Sequence, residues 1–244
     1  MSRAGRHVLN TRPAHQAAAL TAALAASGAR VSELPLIEIQ PLPLAPGHER
    51  LLLDLDRYDG VFFVSANAAR LGLDAVAGCW PQWPWRLPAY AVGASTAAVL
   101  ADAGLAVTVP ARADSEGLLA LPALQAVAGR RFLLLRGEDG RELLRDTLCA
   151  RGARVDVIPL YRRALPAAAA AQWQALRADG ALPDSVLLTS PDALRHWLQV
   201  AGADATQPLW VVVSPRLREQ AVAAGARVVE AAAADIDSLV AALP

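Results

Sequence analysis

The chain predicts an α/β fold of two similar domains, each an open parallel sheet with helices on both faces. Three observations carry that expectation. Short apolar runs of strand length alternate with longer stretches of helical periodicity. The second half repeats the first, with its opening segment 124 residues further on. The 244 residues are 55% hydrophobic and 19% charged, enough for one large domain or two small ones with real cores.

The first strand is His7–Asn10, and a helix follows over Ala14–Ser27 with Leu20 and Leu24 on one face and Gly28 ending it. Ala29–Ile39 is extended, but Pro35 lies within it and argues against a central strand. Gly60–Val64 is a buried strand followed by a helix over Ala66–Val76. Ala89–Val92 is the next strand, then a helix over Ser95–Ala103, a strand at Ala106–Val109 and a helix over Ser115–Leu124. The alanine run Ala167–Ala171 reads as the start of a further helix, the alternative being a low-complexity link.

The repeat supplies the rest. RHVLNTRPAHQAAALTAALAASGARV at 6–31 aligns with RRFLLLRGEDGRELLRDTLCARGARV at 130–155, placing Arg12 over Arg136 and Gly28 over Gly152. Further along, Pro35 falls over Pro159. DGVFFVSANAARLGL at 59–73 matches DSVLLTSPDALRHWL at 184–198, with Ser65 over Ser190. Residues 89–107 match 210–228. A period this long is no solenoid but a duplicated α/β unit. Open α/β sheets bind ligands beyond the carboxyl ends of their strands, so two facing copies would form an interdomain cleft.

Composition removes several chemistries. All 23 basic residues are arginine, so there is no lysine for a P-loop, a Schiff base or a general base. The 23 acids cancel that charge, so no basic excess points to nucleic acid. Cys79 and Cys149 form neither a metal spacing nor a disulfide framework, and a reduced cytoplasmic compartment follows. No apolar run is long enough to span a membrane, and the N-terminus lacks a signal-peptide stretch. His7, His15, His48 and His196 have no ligand spacing, and His15 and His196 are expected to be exposed on helices. No metal site and no cofactor site is expected. Neither a dinucleotide fingerprint nor a nucleophile elbow is present; Gly137-Glu138-Asp139-Gly140 reads as a tight turn. The segment Cys79–Trp85 could form a recognition surface, but a loop folded over the apolar face of its own domain is the expected reading.

The loops after the strands share one character: Asn10-Thr11-Arg12, Ser65-Ala66-Asn67, Gly93-Ala94-Ser95-Thr96, Arg136-Gly137, Thr189-Ser190-Pro191 and Ser214-Pro215-Arg216. Each puts a hydroxyl or guanidinium near a helix N-terminus, where backbone N–H groups and the helix dipole attract anions. Taken singly, Ser65, Ser95, Ser190 and Ser214 are as well explained as N-caps. Together they point to a polyanionic ligand. Tyr161 ends the second extended segment, where the repeat places Ile37, so the repeat itself does not call for a phenol there. A packed tyrosine with its hydroxyl at the surface accounts for it equally well.

From end to end the chain resembles the uroporphyrinogen-III synthase family. The resemblance rests on Thr11-Arg12-Pro13, on Phe63–Ala68, on Ala91–Ala97 and on Leu135–Arg141, then on Val157–Tyr161, Leu188–Pro191 and Val212–Leu217, in that order and spacing. It implies a cofactor-independent lyase that closes hydroxymethylbilane, a linear tetrapyrrole, with loss of water and inversion of the last pyrrole ring, giving uroporphyrinogen III for haem biosynthesis. It implies a cytoplasmic monomer of two flavodoxin-like domains, the first from residues 1–36 plus 167–244 and the second from 42–159, joined by linkers 37–41 and 160–166. Tyr161 matches the tyrosine proposed to assist departure of the hydroxyl. Ser65, Thr96 and Ser190 match positions that contact substrate, and Asn67, in the Ser65 loop, and Ser214, in the Ser214–Arg216 loop, are expected to bind it too. Arg216 and Leu217 stand where other members carry threonines, so Arg216 is expected to pair with a substrate carboxylate. Arg12 and Arg136 would do the same, or serve as structural pairs within each domain. A transient contact with hydroxymethylbilane synthase is left open. The alternative reading is a non-catalytic two-domain binder of a small polyanion.

Overall fold

His7–Asn10 is buried along its whole length, as a parallel strand covered on both faces requires. It opens a computed structural model that describes residues 5–180 and 182–244. In chain order the elements begin β1 (His7–Asn10), α1 (Ala14–Ala26), β2 (Arg30–Glu33), β3 (Glu38–Pro41), α2 (Pro46–Leu53), β4 (Gly60–Phe63) and α3 (Ala66–Ala77). Next come β5 (Ala89–Ala91), α4 (Ala94–Asp102), β6 (Val107–Thr108), α5 (Ser115–Leu119), β7 (Arg131–Gly137), α6 (Leu143–Ala150) and β8 (Arg154–Ala164). The chain ends with α7 (Ala169–Ala178), β9 (Ser185–Leu188), α8 (Pro191–Ala201), β10 (Leu209–Val212), α9 (Pro215–Ala223), β11 (Val228–Glu230) and α10 (Ile236–Ala241).

Two compact units result, one of residues through Glu38 together with Arg163–Pro244, the other Ile39–Arg162. Their sheets run β11-β10-β9-β1-β2 and β3-β8-β7-β4-β5-β6. The pairings of β1 with β2 and β9, of β10 with β9 and β11, of β4 with β5 and β7, and of β5·β6 and β7·β8 are all parallel. Each sheet takes the first two strands of one repeat and the last three of the other, and the second sheet adds β3 at its edge, beside β8. Counted in repeat order with β3 left out, both read 2-1-3-4-5, the flavodoxin-like order, whose strand direction of progress reverses beside its first strand. That switch point falls at β1/β9 in the first unit and β7/β4 in the second.

Alternation along the strands builds the cores. In the second unit Val61, Phe63, Leu133 and Leu135 point to one face, where Ala68, Ala69 and Val76 of α3 cover them. Phe62, Phe132 and Leu134 point to the other, under Leu118 and Leu119 of α5 and Leu144 and Leu148 of α6. Phe62 stacks on Tyr90 with ring centres 4.9 Å apart. In the first unit Val8, Leu187 and Val211 pack against Leu20 and Leu24 of α1 and Leu239 of α10. Trp173 of α7 and Trp197 of α8 meet edge-on at 4.9 Å, both buried. Gly28 follows α1 at φ +89°, a left-handed turn that a side chain would strain.

Several expectations change. The segments assigned to linkers are largely strand: β3 covers 38–41 and β8 runs on to Ala164. Pro159 therefore sits inside a strand flanked on both sides, by β3 and β7. The ladder tolerates it because of a bulge. Arg136 pairs with Pro159 but Gly137 pairs with Tyr161, so Leu160 is an extra residue opposite one step of β7. Ser115–Leu124 is not one helix: α5 stops at Leu119 and a single 3-10 turn covers Pro122–Leu124. His196 is only 5% exposed, its Nδ1 2.6 Å from the Leu36 carbonyl, because α8 lays that side toward the body of its unit. His15 is exposed, as expected. Trp80 and Trp83 fold onto the second unit's core, their indole N–H groups donating to the carbonyls of Leu52 (2.7 Å) and Leu87 (2.9 Å).

Candidate active site

In the second unit four adjacent strands, β8, β7, β4 and β5, end on the same edge, and all its expected site residues lie at those ends. β4 leads into Ser65, which is extended and caps α3: its Oγ accepts the Ala68 N–H at 3.0 Å. β8 ends in Tyr161. On a regular strand Tyr161 would point away from the face of Ile158 and Leu160. The bulge shifts the alternation, so Leu160 and Tyr161 both join the core cluster under α3. There the phenol oxygen lies 3.0 Å from Ser65 Oγ.

Two glycines make room for this. A Cβ at Gly72 of α3 would lie 2.8 Å from Leu135 Cδ1, so glycine lets the helix settle closely on the sheet. A Cβ at Gly137 would lie 2.9 Å from Tyr161 Cε2 and Cζ, so the ring covers bare backbone. The Glu138 N–H donates to the Tyr161 carbonyl at 2.8 Å and fixes the chain on that side. Tyr161 is 3% exposed, while Ser65 is half-buried. The ring is thus packed, and its hydroxyl is held by the strand-end loop.

Arg136 shares this edge but faces inward. It is 7% exposed; Nη1 donates to the carbonyls of Gly140 (2.8 Å) and Arg141 (3.1 Å), and Nη2 to Glu142 Oε1. Its Nε has no partner among the described residues. A Cβ at Gly140 would lie 2.7 Å from Arg136 Cδ. The guanidinium thus clamps the 137–142 turn. Asn67, half-buried in the first turn of α3, is 3.5 Å from Arg70 Nη1. Thr96 is buried in α4. The cap of α4 is Gly93, and Ser95 lies exposed inside the first turn, so that serine is not a cap.

The first unit builds the corresponding edge from β1, β9 and β10. The buried Thr11 hydroxyl donates to the Leu187 carbonyl at 2.5 Å, tying the end of β1 to β9. Ser190 caps α8 through the Ala193 N–H (3.1 Å), and Ser214 caps α9 through the Leu217 N–H (3.4 Å). Arg12 reaches across to donate to the Ala234 carbonyl. Burial lowers its guanidinium below the ordinary arginine value, and the nearby Asp235 carboxylate opposes that shift. Arg216 is exposed at the start of α9, with no acid in that first turn. The first turn of α8 differs, for Asp192 stands there with Arg195 2.9 Å away.

The structure thus brings Ser65 and Tyr161 into contact and leaves Arg216 exposed at a helix start. It commits Arg136 to its own turn and Arg12 partly to a loop. Gly137 as the platform under the phenol ring, and Thr11 as a tie between strands, are roles that the sequence does not reveal. Among the described residues no group of three His, Cys, Asp or Glu side chains could hold a metal ion.

The profile of the family described as "Uroporphyrinogen-III synthase HemD" matches residues 18–241. The chain belongs to the uroporphyrinogen-III synthase family. It is 38% identical over 175 residues to the uroporphyrinogen-III synthase of Escherichia coli (strain K12), covering 69% of this chain and 71% of that one. Among solved structures, a mutant uroporphyrinogen III synthase from Thermus thermophilus superposes with a TM-score of 0.65 at 17% identity, covering 97% of this chain and 96% of that one. The uroporphyrinogen-III synthetase of Helicobacter pylori 26695 gives 0.64 at 16% identity, with 97% of each chain covered. At those identities the two structures bear on the fold alone, which uroporphyrinogen-III synthases share with this chain from end to end.

Proposed function

We propose that this chain is a lyase of tetrapyrrole biosynthesis, closing hydroxymethylbilane to uroporphyrinogen III with inversion of the last ring. Family membership carries the reading, and the phenol of Tyr161 at a strand-end edge fits its chemistry. The substrate hydroxyl leaves poorly as hydroxide. In the proposed step the Tyr161 phenol gives its proton to that oxygen, the C–O bond breaks with its electron pair, and water departs. The pyrrole nitrogen lone pair compensates the carbon, leaving an N-protonated azafulvene beside the Tyr161 phenolate. The far ring attacks it at its substituted position, the spiro intermediate fragments and recombines with that ring inverted, and the ring proton lost as the pyrrole regains its aromaticity restores the phenol.

Acetate and propionate groups on every ring need cationic or N–H partners. The first turns of α3, α4 and α9 carry no acid and lie at strand ends, and Arg216 adds an exposed guanidinium at the last. Asp192 makes the α8 terminus a poorer carboxylate site. Ser65, Asn67, Thr96, Ser190, Ser214, Arg12 and Arg136 complete the proposed substrate shell, with Arg136 acting through the turn it holds. A transient contact with hydroxymethylbilane synthase belongs to the same proposal, since direct transfer would spare a bilane that closes spontaneously to the type I isomer. No described helix is long and apolar enough to cross a membrane.

The test is to incubate the protein with hydroxymethylbilane, oxidise the products and resolve the type I and type III porphyrins. The proposal expects type III to dominate. A non-catalytic binder would leave only type I.

A further inference from the structure

We propose that Ser65 is the positioning residue for Tyr161, donating its hydroxyl proton to the phenol oxygen so that the phenol proton is free for the substrate. The inference rests on the proposed role of Tyr161 and deepens it. The two oxygens are 3.0 Å apart, so one donates to the other. Ser65 Oγ already accepts the Ala68 N–H at 3.0 Å, which leaves its single proton to be placed. Ser65 is the hydrogen-bond partner of the phenol oxygen among the described residues. A phenol that gives up a proton becomes a phenolate, and that charge needs a donor already in place. With Ser65 as donor, the bond to Tyr161 strengthens as the proton leaves, because its acceptor becomes an anion.

The duplication argues that the pair does more than cap a helix. Ser190 caps α8 with the same geometry, through an N–H three residues on. The residue matching Tyr161 in the repeat is Ile37, so the cap works there without a phenol. In the second unit the bulge at Leu160, the bare backbone of Gly137 and the close seat of α3 at Gly72 all converge on bringing the ring to Ser65. Those features hold the ring in one place. A general acid needs that precision, and a helix cap does not.

A double-mutant cycle in kcat tests the inference, with Ser65→Gly, Ser65→Thr, Tyr161→Phe and the Gly/Phe double variant. Glycine is only slightly poorer than serine as an N-cap, so the fold should survive, and melting curves check that it does. Ser65→Gly should lower kcat about tenfold, a larger factor than any rise in KM from its place in the substrate shell, and below the usual loss of an oxyanion donor because water can partly replace it. Ser65→Thr, which keeps the hydroxyl, should restore most of the rate. In the Tyr161→Phe background Ser65→Gly should lower kcat no further. An equal loss of kcat in both backgrounds, or a raised KM with kcat kept, would overturn the positioning role and leave that of Tyr161 standing. Wild-type kcat in Tyr161→Phe alone would instead remove the acid role itself, and the inference with it.

Discussion

The Ser65 hydroxyl faces the Tyr161 phenol at 3.0 Å because one extra residue, Leu160, turns Tyr161 onto the face that α3 covers. Without that bulge the phenol would point to the far face, toward the cluster of Phe132 and Leu134. The proposed proton transfer therefore depends on the backbone of β8 at Leu160 as much as on the side chain.

Gly137→Ala probes that detail. The new Cβ would sit 2.9 Å from the Tyr161 ring, and the ring is packed on its other sides. Overpacking of this kind costs about 1–3 kcal/mol. The variant should melt lower and lose kcat more than it gains KM. A variant with unchanged melting and unchanged kcat would show that the ring does not rest on that backbone.

Arg136 and Arg216 should behave oppositely. Arg136→Lys keeps the charge but loses the fork that holds the carbonyls of Gly140 and Arg141 and the Glu142 carboxylate. Hydrogen bonds to charged groups are worth about 1.5–3 kcal/mol each, and replacement by Lys should lower the melting temperature by roughly 4–10 °C. Arg216→Ala removes an exposed side chain and should leave melting alone, raising KM more than it lowers kcat. Calorimetry and steady-state kinetics on both variants decide it. A stable Arg136→Lys protein with a raised KM would make Arg136 a direct substrate ligand instead.

Much of the fold is legible in the chain itself. The duplication, the strand-helix alternation and three of the four serine caps follow from spacing, because caps and strand periodicity are local. The commitments of Arg136 and His196 are not legible, since each is set by a carbonyl brought near by folding: Gly140 across a turn, and Leu36, 160 residues away in sequence. The bulge escapes for another reason. Pro159 reads as a break in a sheet, and nothing in its neighbours says that the ladder resumes one residue out of step. Ser95 reads as a cap, but Gly93 caps α4 two residues earlier.

At the opposite ends of the strands, Asp156 should give the protein an acid-sensitive lock. Burial pushes its carboxyl up, but the Tyr58 hydroxyl and the Arg131 guanidinium, both 2.8 Å away, outweigh that and hold it below the ordinary value. A carboxyl depressed on folding stabilises the fold at all pH values above its unfolded value of about 3.9, and that contribution is lost as pH falls through the lower folded value. Denaturant melts from pH 7 to pH 2 should show stability falling below about pH 4. Asp156→Asn should be less stable at pH 7 and should flatten that fall. An equally steep acid limb in the variant would assign the loss to other carboxylates.

The central claim, that Tyr161 supplies the proton while the rest of the site folds the substrate, is tested most directly by turnover and product isomer of Tyr161→Phe. General acid catalysis typically contributes about 10²–10⁴-fold, and the electron-rich pyrrole already expels hydroxide on its own. Turnover should therefore slow roughly tenfold to a few hundredfold, within or just below that range. The enzymatic product, after subtraction of spontaneous type I closure, should still be type III. Wild-type kcat in the variant, or an accelerated formation of type I, would contradict the account.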